Sequence, residues 1–145
     1  MKQEDSIDFH LRRIWYKIMR SYNYEAGKHD ATMAMGYTLL NIDLENGTPS
    51  TSLGPMMGME SRSLTRILKK LEEENVIKRV SDKNDKRIMR IFLTKKGKEK
   101  RENSRVAVIR LNEVIQPKLT KKERTGFFKT LNKINHLMDT ETIFK

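Results

Sequence analysis

Apolar residues recur at helical spacing near the start of the chain: Ile7, Leu11, Ile14, Ile18 and Tyr22, with Trp15 and Met19 beside them. Steps of three or four keep side chains on one face of a 3.6-residue turn. The pattern predicts a helix from about Ser6 to Tyr24, capped by Asp5 or Ser6. A second helix is expected from Thr32 to about Leu44. Glu45-Asn46-Gly47 would stop it, since Asn and Gly tolerate a left-handed turn. Pro49 pushes Thr48 out of the helical region, so Thr48-Pro49-Ser50 reads as extended or as a turn. A short helix then runs to Met57, with Gly58 ending it. Pro55 falls inside that helix, either in the first turn of a late start or at a kink.

The fourth helix, from about Glu60 to Asn75, carries Leu64, Ile67, Leu68 and Leu71 as one apolar stripe. After it the period changes. Val76 to Ser81 and Ile88 to Thr94 are β-rich runs joined by the polar tip Asp82-Lys83-Asn84-Asp85-Lys86-Arg87. Thr94 would cap a fifth helix reaching about Gln116, where Pro117 ends or bends it. A sixth starts after Thr120, with Phe127, Leu131, Ile134 and Met138 at helical spacing. A helix, a glycine, a second helix and then a hairpin make a helix-turn-helix followed by a wing. The expected fold class is mainly α with a small β-hairpin wing.

The outer face of the fourth helix gives this architecture a chemistry. Arg62, Arg66 and Lys69 lie opposite the leucine stripe, flanked by Ser61, Ser63, Thr65 and Lys70. Arginine can bond a guanine edge twice, Ser and Thr can bond bases or phosphates, and Lys neutralises phosphate. The plainer alternative is a solvated basic helix face. The hairpin adds Lys83, Lys86 and Arg87 at its tip and Arg90 on the return strand. A flexible arm ending in Arg suits the negative potential of a narrow minor groove. Asp82 and Asp85 weaken an argument from charge alone. Asp85 could instead pair with Arg87 and hold its guanidinium in a fixed direction.

Charge sharpens the choice of partner. The 145 residues include 30 Lys and Arg against 19 Asp and Glu, a formal net charge of +11. Nucleic acid is the first partner for such an excess and an anionic membrane surface the second. Absence of cysteine excludes disulfides, thiolate metal sites and cysteine redox sensing. The charged N-terminus lacks the apolar run of a signal peptide, and no stretch approaches a membrane span of ~20 apolar residues. The expected location is the cytoplasm, with no membrane partner.

An enzyme would need a nucleophile beside a base, paired carboxylates or a phosphate loop, and the sequence offers none of these motifs. His10, His29 and His136 match no metal-ligand spacing, and no metal or cofactor is expected. Met33, Met35, Met56, Met57 and Met59 read as gap-filling core before they read as an adaptable pocket.

The series of motifs resembles the MarR family of regulators. The chain shows Gly58, then Glu60-Ser61-Arg62-Ser63-Leu64-Thr65-Arg66, then Leu71-Glu72-Glu73-Glu74-Asn75-Val76-Ile77. Asp85-Lys86-Arg87 follows in the wing, and Leu93-Thr94-Lys95-Lys96-Gly97 opens the next helix. Asn75 stands where the family usually has Gly, and Glu60-Ser61 where Asp-Arg is common. The resemblance implies one domain over 1–145. A winged DNA-binding lobe would span about 32–97, with dimerisation helices at about 5–28 and 98–140. Val106, Ile109, Val114, Ile115, Phe127, Phe128 and Leu131 independently suit such an interface; the plainer alternative is that these faces close the monomer core. It further implies a homodimeric regulator of double-stranded DNA at a pseudo-palindromic operator, by family habit a repressor. It also implies a small aromatic or anionic effector, for which His10, Arg13, Trp15 and Tyr37 are candidate contacts. A non-regulatory architectural DNA-binding protein is the alternative.

Overall fold

The computed structural model describes residues 1–144. Its elements are α1 (Ile7–Gly27), α2 (Met33–Leu40), β1 (Thr48–Pro49), α3 (Ser50–Met57), α4 (Ser61–Glu73), β2 (Ile77–Ser81), β3 (Met89–Leu93), α5 (Lys95–Ile115) and α6 (Lys121–Thr140). Short 3-10 turns precede α1 and α6. The chain forms two compact units, the first from Met1 to Ala107 and the second from Val108 onward. The first unit therefore holds α1 as well as the winged lobe. One tie is the Met33 amide, which donates to the Asn23 side-chain oxygen at 2.9 Å.

All six expected helices and the hairpin are present, with some boundaries moved. The first helix runs three residues beyond Tyr24, to Gly27. The second ends at Leu40, not Leu44. Asp43 is the reason: its carboxylate accepts the amides of Glu45 (3.0 Å) and Asn46 (2.6 Å), folding the segment into turns that helix would forbid. Gly47 then takes a left-handed φ of 63°. Thr48-Pro49 is extended and becomes a third strand, too short to show a period in sequence. The sheet order is β1-β3-β2, all antiparallel, with Thr48 opposite Ile91 and Arg79 opposite Ile91 on the other side. Pro55 lies inside α3, which starts at Ser50, five residues earlier.

The core gathers under α4. Leu64, Leu68 and Leu71 are buried against Met35, Leu39 and Ile42 from α2 and its exit, Leu53 and Met57 from α3, and Val76, Ile77, Ile91 and Leu93 from the sheet. The stripe read from sequence is thus the face that seats α4. Each such leucine contributes about 2–5 kcal/mol relative to alanine. The methionine reading holds for Met35 and Met57, which are buried, while Met56 is exposed.

In the second unit, α6 opens with a capping box. Thr120 accepts the Glu123 amide, and the Glu123 carboxylate accepts the Thr120 amide at 2.7 Å. Arg124 holds the preceding turn by donating to the carbonyls of Gln116 and Leu119.

Candidate nucleic-acid interface

Seating α4 on its leucines turns the opposite face to solvent. Ser61, Arg62, Ser63, Thr65, Arg66, Lys69 and Lys70 are all exposed. Among the described residues Arg62, Arg66 and Lys69 have no hydrogen bond or ion pair that would occupy them. Thr65 donates its hydroxyl to the Ser61 carbonyl, and Lys70 approaches Glu74 at 4.0 Å. Glu60 sits at the N-cap and Gly58 at φ 63°, which sets the turn between α3 and α4. The result is a rigid helix with a row of unengaged cations, the arrangement that a major groove accepts.

The wing is ordered by its acids. The Asp85 carboxylate accepts the Arg87 Nε–H at 3.0 Å on one oxygen and Nη2–H at 2.8 Å on the other, and the Arg87 amide also donates to it. The Arg87 side chain nonetheless stays 90 % exposed. This pairing was one of the two roles open to Asp85 in the sequence. It holds the Asp85 carboxyl below its usual range, chiefly through the Arg87 side chain, and raises Arg87. Lys83 and Lys86 are exposed beside it. Arg90 differs from the others: its guanidinium is folded back onto the protein and its side chain is only 26 % exposed.

The root of the wing explains the Leu93-Thr94-x-x-Gly97 motif. The Thr94 hydroxyl donates toward the carbonyls of Asn75 (2.7 Å) and Val76 (3.0 Å) and accepts the Gly97 amide. Asn75 has φ 58°, the left-handed position that lets the chain leave α4 for β2. Recognition helix, wing and α5 thus meet at one hydrogen-bonded junction.

Two of the four effector candidates make local contacts near the N-terminus. His10 Nε2 lies 2.6 Å from the Glu4 carbonyl, and the Arg13 guanidinium sits 5.3 Å from the centre of the Phe9 ring. Trp15 lies some 140° around α1 from His10, and both Trp15 and Tyr37 are partly exposed. An open groove of about 480 Å³ lies elsewhere, lined by Leu40, Asp43, Thr48, Met56 and Arg101 among others. The Arg101 side chain lines it, and the Arg101 Nε is itself buried without a hydrogen-bond partner among the described residues. Nothing in the sequence singled out Arg101, one basic residue in the run Lys95 to Arg101. Only folding brings it over the exit of α2.

Comparison with known proteins fits this geometry. The MarR family model matches residues 32–89. The HTH-type transcriptional regulator SarZ of Staphylococcus saprophyticus is 33% identical over 105 residues, covering 70% of this chain and 72% of that protein. The chain belongs to the MarR family. SarZ of Staphylococcus haemolyticus is 33% identical over 81 residues, so the match spans about half of that relative, 55%. In fold, the chain is similar to Staphylococcus aureus MepR in its DNA complex, with a TM-score of 0.82 at 19% identity over 90% of this chain and 97% of that one. It is similar also to the PcaV transcriptional regulator of Streptomyces coelicolor in complex with its natural ligand. That TM-score is 0.80, at 18% identity over 94% and 96%.

The MarR-type winged helix accounts for the two departures noted in the sequence. Asn75 replaces the family's usual glycine at little cost to the turn, because asparagine, after glycine, adopts the left-handed conformation most readily. Glu60-Ser61 places an acid at the N-cap of α4, where negative charge meets the helix dipole. Among the described residues no cluster of three or more His, Asp or Glu is placed to hold a metal ion, and no helix is long and apolar enough to cross a membrane.

Proposed function

We propose that the chain is a sequence-specific regulator of transcription. It binds double-stranded DNA as a homodimer at a pseudo-palindromic operator and represses until a small ligand releases it. The observation that carries this reading is the outward row Arg62, Arg66 and Lys69 on α4, unengaged and backed by a buried leucine face. Arg66 and its neighbours read base edges in the major groove, and Arg87, held by Asp85, enters the flanking minor groove. Lys69, Lys70, Lys83 and Lys86 neutralise phosphates.

The dimer draws support from apolar side chains that a monomer leaves in water. Ile7, Ile14, Trp15 and Tyr16 on α1, Val114 and Ile115 on α5, and Phe127 and Phe128 on α6 are all exposed. The effector draws support from the Arg101 groove, where the guanidinium offers a charged fork to the carboxylate of a small organic acid. His10, Arg13, Trp15 and Tyr37 remain a second place for such a ligand.

Selection of bound sequences from a random DNA pool, followed by footprinting, tests the reading. A defined, two-fold symmetric protected site supports a regulator. A uniform, salt-sensitive coat with no selected sequence points to architectural binding and overturns it.

A further inference from the structure

Arg90 stands on β3, the central strand, and its place beside the wing suggests a DNA contact. Its guanidinium is already engaged with the protein. Nε donates to the Asn46 carbonyl at 2.9 Å, Nη2 to the Gly47 carbonyl at 3.2 Å and Nη1 to Asp82 Oδ2 at 3.1 Å. Asp43, which folds the loop before β1, is a second acid near it.

Asp82 passes this anchorage on. Its other oxygen, Oδ1, accepts the amides of Asn84 (2.8 Å) and Asp85 (3.0 Å). These amides belong to the turn that carries the Asp85 carboxylate, and that carboxylate holds Arg87. The bonds form a series. Lobe carbonyls hold Arg90, Arg90 holds Asp82, Asp82 holds the 84–85 backbone, and Asp85 holds Arg87.

The strand β1 ends opposite Arg90, and beyond it only β2 and β3 carry the tip, a two-stranded ribbon that twists easily. Backbone bonds from the Asp82 amide to the Ile88 carbonyl (2.8 Å) and from the Ile88 amide to the Asp85 carbonyl (3.0 Å) close the tip, but its direction, and that of Arg87, still follows the twist of the ribbon. The guanidinium of Arg90 is planar with donors in a fixed fork, so it fixes direction as well as distance. Both partners are partly buried, Asp82 at 15% and Arg90 at 26% exposed.

We infer that Arg90 is a positioning residue for DNA recognition. It touches no DNA, and through Asp82 and the 84–85 turn it sets the direction in which Arg87 is presented. Ordering Arg87 before the encounter lowers the cost of immobilising it in the complex. This inference rests on the reading of Arg87 as the minor-groove contact.

The test compares the full chain with Arg90→Gln, Arg90→Lys, Arg87→Ala and the Arg87→Ala, Arg90→Gln double variant. Each is titrated with its selected operator DNA at two salt concentrations, and amide hydrogen exchange is measured without DNA. Arg90→Gln should weaken binding about fivefold. The double variant should bind no worse than Arg87→Ala alone, with the same salt slope. In the free protein Arg90→Gln should speed exchange at Asn84 and Asp85. Arg90→Lys, made also together with Arg87→Ala, keeps the charge without the fork and should show the same non-additivity. It carries the comparison if Arg90→Gln fails to fold.

Additive losses, or a salt slope lower by about one when Arg90→Gln is added to Arg87→Ala, would make Arg90 a phosphate contact and overturn the inference. Full affinity in Arg90→Lys with unchanged exchange overturns it equally. If Arg87→Ala leaves binding untouched, the minor-groove reading itself fails. The exchange data then still show whether Arg90 orders the turn.

Discussion

The carbonyl oxygen of Val76 occupies the space that a β-carbon on Gly97 would need. The obstacle is backbone at the point where α4, the wing and α5 are bonded together by Thr94, so neither side can yield cheaply. Gly97→Ala should destabilise the protein by about 1–3 kcal/mol or more, read as a lower urea midpoint. Gly126 is the contrast. It lies inside α6 and a β-carbon there meets nothing within 4 Å. Gly126→Ala should stabilise by about 0.5–1 kcal/mol through helix propensity. A penalty at Gly126 would instead mark it as a close contact between two copies.

Arg66 is exposed on α4 and unengaged. Arg66→Ala should leave the thermal midpoint nearly unchanged and weaken operator binding by about 1–3 kcal/mol, with relaxed choice at one base pair if it reads a base edge. An equal loss on all sequences would assign it to phosphate. Unchanged binding would remove it from the interface.

The exposed apolar faces of α1, α5 and α6 predict the assembly. Sedimentation in ~0.15 M salt should give about twice 17.1 kDa. Phe127→Glu should shift the protein toward monomer and weaken operator binding together with it. A wild-type monomer that binds a palindromic site at full affinity would sink the dimer.

The wing should hold its order far into acid. Asp82 is lowered by the Asp85 and Asn84 amides and then by Arg90, and Asp85 chiefly by the Arg87 side chain. A carboxylate depressed in the folded state contributes above its unfolded pKa, about 3.9. That contribution is lost as pH falls through the lower folded value. The Arg87 Nε–H resonance of the free protein should therefore stay put from pH 7 to 5 and move only below about pH 4. A transition near pH 6 would show that the pairing in solution differs.

Period and punctuation made the helices legible, because an amphipathic helix must repeat the same compromise between core and water along its length. Leu64, Ile67, Leu68 and Leu71 announced both the buried face of α4 and, by exclusion, its outer basic row. What escaped depended on contacts between distant positions. Thr48-Pro49 is too short to display alternation, and its pairing with Arg90 and Ile91 is visible only once the chain has turned. Arg90 looked like its neighbours Arg87 and Lys86, since nothing local reveals that the carbonyls of Asn46 and Gly47 await it. The end of α2 was misplaced for a local reason, the Asp43 carboxylate capturing two amides ahead of it.

The bonds from Arg90 to Asn46 and Gly47 close a ring of 44 and 43 positions, and that ring has a consequence in time. Within it lie β1, α3, α4, β2 and the tip of the wing. Single helices and a hairpin form in microseconds from local contacts, whereas closing a ring of this length costs roughly 3 kcal/mol of chain entropy. The ring can close only after the helices have docked and drawn their ends together. The chain would thus acquire its helix content first and the set of its wing last. Under heat or denaturant the order reverses, and a weakened variant should lose its grip on DNA while its circular dichroism still looks native.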